Sequence, residues 1–72
     1  MDELNKKIIY YGTIDALAEN QANALLHIAK AACITQRQLG LRVKKSDWSH
    51  DEIKRLCKKF GHEFTEYIRS QF

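Results

Sequence analysis

Five side chains in this 72-residue sequence are metal ligands or nucleophiles by type: His27, His50, His62, Cys33 and Cys57. A zinc site draws about four such ligands together, and close pairs in the sequence normally reveal it. His50, Cys57 and His62 do not share one helical face, and His27 stands alone, so no metal site is expected. The cysteines lack the CxxC spacing of redox chemistry. Each falls on the apolar face of a different predicted helix, where a free thiol packs as a small hydrophobe. A bridge between them is the alternative. Asp51 and Glu52 are adjacent carboxylates of the kind used in acid–base catalysis, but they sit where a helix begins. The helix dipole and capping account for them there. No glycine-rich phosphate loop or nucleophile elbow is present. A chain this short also leaves little room for a concave pocket of several hundred Å³. The expectation is a non-enzymatic protein with no catalytic residue, no metal and no cofactor.

Charge gives a second lead. The net charge is +3, unevenly spread. Residues 1–29 carry −2, residues 30–59 carry +6 and residues 60–72 carry −1. A basic segment of this kind suits an anionic partner, either nucleic acid or an acidic protein surface. Arg42, Lys44, Lys45, Lys54, Arg55, Lys58 and Lys59 are the candidate patch. The competing view is a solvated face laced by i,i+4 pairs such as Asp51–Arg55 and Lys59–Glu63.

The elements that must carry these residues follow from capping signals and apolar spacing. The clearest signal is Trp48-Ser49-His50-Asp51-Glu52-Ile53. Ser49 and Glu52 form a capping box, with Trp48 and Ile53 as its hydrophobic staple, so a helix starts at Ser49. Its apolar stripe, from Ile53 through Leu56, Phe60 and Phe64 to Ile68, runs on to the C-terminus. That predicts one helix over about 50–71, with a break at Gly61 as the alternative. Asp2 is suited to cap a first helix over about 3–11. Gly12 then favours a break or kink over a continuous helix, which would cost about 1 kcal/mol at the glycine.

Between them the spacing predicts a second helix over about 14–39, ended by Gly40, with residues 41–48 as a connection in which a very short extended piece is conceivable. Its centre is apolar and alanine-rich. Ala22, Leu25, Ala29 and Ala32 present more apolar surface than two further helices can cover, which argues for self-association. A helix-turn-helix would use Thr35–Gly40 as its first helix and turn. The next strong helix start, Ser49, comes nine residues after Gly40, too late for a tight motif, and it opens with acid.

The fold expected is therefore a small all-α bundle or hairpin. Two long helices pack antiparallel through Leu25, Ile28, Ala32, Ile53, Leu56, Phe60 and Phe64, with a short helix in front, and a homodimer or obligate partner completes it. No apolar run approaches the ~20 residues of a membrane span and no signal peptide opens the chain, so the cytoplasm is the default compartment. The function expected is a small regulator, adaptor or inhibitor acting by protein contact, steered to an acidic partner by the basic face. A nucleic-acid-binding regulator is the first alternative and a structural assembly subunit the second.

Overall fold

In a computed structural model describing residues 2–71, the chain forms five helices: α1 (Glu3–Ala18), α2 (Ala24–Ala32), α3 (Gln36–Lys45), α4 (His50–Phe60) and α5 (His62–Gln71). All regular structure among the described residues is helical. The all-α expectation holds, but the two long helices do not exist. The predicted helix over 14–39 is the last five residues of α1, all of α2 and the start of α3. The helix predicted over 50–71 is split.

Each difference has a local cause. Asp2 caps α1, accepting from Asn5 N–H at 2.8 Å. The helix then runs straight through Gly12, which is buried. A methyl group placed on Gly12 would collide with the Ile28 side chain and lie 3.1 Å from Phe60. The glycine is therefore a packing notch that lets α2 and α4 close on α1, and that contact offsets the helix-propensity cost of about 1 kcal/mol. After α1, Asn20 takes a left-handed conformation at φ 57°, which asparagine tolerates. Asn23 then caps α2 by accepting from Leu26 N–H at 3.1 Å.

Alanine-rich α2 ends at Cys33, which is also left-handed at φ 60°. Thr35 opens α3 with a full capping box: its hydroxyl accepts from Gln38 N–H at 3.0 Å, and Gln38 Oε1 accepts from Thr35 N–H at 2.9 Å. Gly40 therefore lies inside a helix instead of ending one, and residues 41–45 are helical, not extended. Ser46 terminates α3 in a third left-handed residue. The Ser49–Glu52 box starts α4 as expected, with bonds of 3.2 and 2.9 Å. Gly61, at φ 93°, breaks the C-terminal stripe into α4 and α5. A side chain is strained in that conformation.

The core is Ile8, Ile28, Ala29, Ala32, Leu39, Leu56 and Phe64, all buried, with Ile53, Phe60, Tyr67 and Trp48 packed against it. Phe64 sits at its centre, edge-on to Tyr11 and Phe60 at ring separations of 5.9 and 5.6 Å. Of the predicted antiparallel contact, Ile28, Ala32, Leu56 and Phe64 are buried, whereas Leu25 is 51% exposed. Buried Asn5 ties the far end of the fold together. Its Nδ2 donates to Val43 C=O at 2.9 Å, and its Oδ1 accepts from Trp48 Nε1 at 2.7 Å. No helix among the described residues is long and apolar enough to cross a membrane.

Candidate nucleic-acid interface

Three residues, Cys33-Ile34-Thr35, join α2 to α3. The turn is tightly specified. Cys33 N–H donates to Lys30 C=O at 3.1 Å and Ile34 N–H to Ala29 C=O at 2.9 Å, closing the end of α2. Ile34 packs against the core, and Thr35 starts the next helix. Two helices are thus joined by three residues, a connection of the length found in helix-turn-helix units, and the second opens on a capping box. Leu39 is buried and Val43 packs against the core, so these two residues, four apart, set the inward face of α3.

The opposite face of α3 carries Arg37, Leu41, Lys44 and Lys45, all exposed. Arg37, Lys44 and Lys45 form no ion pair among the described residues. From Ala24 to Lys45 there are five cations and no carboxylate. The first turn of α3 is Gln36-Arg37-Gln38, also free of acid. Glutamine and arginine at a helix start are the side chains that bond adenine and guanine edges in the major groove, and an exposed aliphatic group suits the thymine methyl.

Of the seven residues singled out as a basic patch, three are engaged by neighbouring groups. Arg42 turns inward and grips Glu52 through Nε at 2.9 Å and Nη2 at 3.0 Å. These bonds hold the buried Glu52 carboxyl below its ordinary value against the opposing effect of burial, and the Ser49 cap adds to them. Arg55 Nη1 donates to Ala32 C=O at 3.3 Å, at the end of α2. Lys59 binds Asp15 at 3.2 Å and also Glu19. Lys44, Lys45, Lys54 and Lys58 remain exposed, the first two on α3 and the last two on α4.

Lys59 belongs to a cluster the sequence did not reveal. His27 Nε2–H donates to Asp15 Oδ2 at 2.6 Å, and the donor atoms of Asp15, Glu19 and His27 lie within 4.8 Å of one another. Among the described residues these three are grouped closely enough to hold a metal ion, and the Lys59 ammonium already supplies a positive charge beside the carboxylates. Burial pushes the Asp15 carboxyl upward, but hydrogen bonds from His27 and Lys59 outweigh it and hold the pKa low. On one continuous helix Asp15 and His27 would stand about 18 Å apart. Only the reversal at residues 19–23 brings them together.

His50 and His62 are exposed, Cys33 is exposed in its turn, and Cys57 is half-buried, with its thiol pushed up by burial. Of the residues assigned to self-association, Ala29 and Ala32 are 1% and 0% exposed within the single chain, covered by its own helices. Ala22 is exposed in the loop before α2. The argument for a covering partner therefore loses its premise, because no long alanine-rich helix exists.

The start of α3 is signalled by Thr35-x-x-Gln38, the same capping-box pattern as Ser49-x-x-Glu52. No protein-family model, no curated protein and no solved structure matches the chain.

Proposed function

We propose that this protein binds DNA through α3, with α2 crossing the backbone and the Arg37, Leu41 and Lys44 face entering the major groove. The observation that carries this reading is the acid-free, five-cation α2–turn–α3 unit, whose outward cations are left unpaired among the described residues. Lys44 and Lys45 contact phosphates, and Arg37 reaches a base edge. The test is binding to a random duplex pool at several salt concentrations, followed by selection of the preferred sequence. Affinity falls linearly in log salt, with a slope of about 0.9 per phosphate contact. Arg37→Ala relaxes specificity at one position by about 1–3 kcal/mol. Binding that is independent of salt would remove this function.

A second reading, contact with a protein that includes a second copy of this chain, is favoured by a different observation. Tyr10, Ile14 and Leu17 stand on one stripe of α1 and are 58%, 46% and 70% exposed. Paired copies would suit a site with two half-sites. Sedimentation equilibrium of the wild type against Leu17→Lys tests it. A monomer that the substitution leaves unchanged, and that captures no partner, ends that reading.

A further inference from the structure

A groove of about 700 Å³ opens between the start of α1, the α3–α4 loop, α4 and α5. It is larger than the chain length led us to expect, because two interhelical breaks, at Ser46–Ser49 and at Gly61, splay α4 and α5 around it. Its volume lies in the range of small-molecule sites. The walls are mostly apolar, with Trp48, Ile53, Cys57 and Ile68 among them, while Lys54 and Arg69 stand among the lining groups. Among the described residues no carboxylate lines it. Of the acids close by, Asp51 shares the neighbouring surface with Lys54 and lies outside the groove, and two others are engaged. Asp2 accepts from the Ser46 hydroxyl, and Glu66 pairs with Arg69 at 3.2 Å, which leaves most of the five N–H donors of that guanidinium free of carboxylate. Lys54 has no ion pair among the described residues.

We infer that this groove is a binding site for a small monoanionic amphiphile: an apolar body of roughly ten carbons lying along Trp48, Ile53 and Ile68, with a carboxylate held by Lys54 and Arg69. The apolar walls supply affinity without direction, at about 0.8 kcal/mol per buried methylene. The two cations select the head group, and the guanidinium fork matches a carboxylate in particular. The site uses none of the residues proposed to meet DNA and stands or falls independently of that reading.

Trp48 is the chain's only tryptophan and lines the groove, so its fluorescence reports occupancy directly. The full chain is titrated, below micelle-forming concentrations, with decanoate, decyl phosphate, decanol and decyltrimethylammonium, and separately with an acidic amphipathic peptide. Decanoate shifts the Trp48 emission saturably and binds about tenfold tighter than decanol, with the cationic analogue weakest. Lys54→Gln combined with Arg69→Gln brings decanoate to the decanol affinity and leaves decanol unchanged. Both positions are exposed, and circular dichroism verifies that the variant is folded. Cys57→Phe, which fills the groove, weakens all the alkyl probes together. Equal binding of decanoate and decanol, the absence of a saturable shift, or saturation by the peptide alone each overturns the assignment. Decyl phosphate binding tighter than decanoate overturns the carboxylate and retains only the anion.

Discussion

Helices α3 and α4 each carry four cations, and among the described residues the fold engages two of them in α4 but one in α3, leaving Lys54 and Lys58 exposed on α4. In α4, Arg55 turns to the end of α2 and Lys59 to the carboxylates of α1, and the helix begins with Asp51 and Glu52. In α3 only Arg42 is bound to a partner, the first turn has no acid, and Arg37, Lys44 and Lys45 point to solvent. Equal charge on a helical wheel therefore does not mean equal availability. What distinguishes the two is where neighbouring helices place carboxylates and open carbonyls. Glu52 serves both helices, closing the α4 cap while binding the one inward-facing cation of α3.

The largest effect that separates them is on DNA affinity. Lys44→Glu with Lys45→Glu reverses two outward charges on α3 and weakens duplex binding about a hundredfold at moderate salt, roughly 2.7 kcal/mol. Lys54→Glu with Lys58→Glu makes the same charge change on α4 and weakens it about threefold, through long-range field alone. Fluorescence anisotropy with the same duplex measures both. Equal losses would return the interface to a diffuse basic surface and dissolve the contrast between the helices.

Next in size is the Glu52 contact, whose loss appears in stability. Glu52→Gln leaves a buried side chain without its charge-assisted bonds to Arg42 and weakens the cap, destabilising the fold by about 2 kcal/mol in a urea titration at pH 7. The bonds from Arg42 hold the folded pKa of Glu52 below its ordinary 4.5, and Asp15 likewise sits below 3.8. Because the folded values are the lower ones, their contribution is fully present above about pH 4.5. It disappears as the pH falls through the folded values. Wild-type urea midpoints are therefore flat between pH 7 and pH 5 and drop below about pH 4.5, while Glu52→Gln shows a shallower drop. An unchanged acid limb in that variant would mean Arg42 is not its partner in solution.

These contrasts also mark what the sequence could reveal. The Ser49–Glu52 box was legible because its two bonds lie within four residues, and the stripe from Ile53 to Ile68 was legible because helical spacing repeats. The division of residues 14–39 was not. Ala22 to Ile34 is apolar on nearly every side, so periodicity carries no stop signal, and the stop is a left-handed Cys33 with no glycine or proline to announce it. The paired box at Thr35 and Gln38 is present in the residues, while Gly40 suggested a terminator. Once α2 and α3 are merged, the short turn between them disappears and the alanines look as if they need a partner. The inward turns of Arg42 and Lys59 depend on carboxylates ten and at least forty residues away, beyond any local pattern.

The last pair of effects, the smaller of them at Gly40, comes from the two mid-helix glycines, both of which were expected to interrupt a helix and both of which lie inside one. Gly12 faces Ile28 and Phe60, whereas nothing lies within 4 Å of the place a side chain would occupy at Gly40. Gly12→Ala must push Ile28 aside in a packed core, and it lowers stability by about 2 kcal/mol after the gain in helix propensity. Gly40→Ala meets no obstacle and raises stability by about 1 kcal/mol, since alanine restricts the unfolded chain and favours helix. Thermal melts of the two variants distinguish them by sign. The same Gly40 variant carries a finer test of the comparison between α3 and α4. Gly40 is exposed on α3 one turn after Arg37 and one turn before Lys44, so a helix seated deep in a groove brings the glycine close to the DNA. Gly40→Ala then yields a more stable protein that binds DNA a few-fold more weakly. Stability and affinity moving apart is the mark of a surface used for contact, because a scaffold position would move them together.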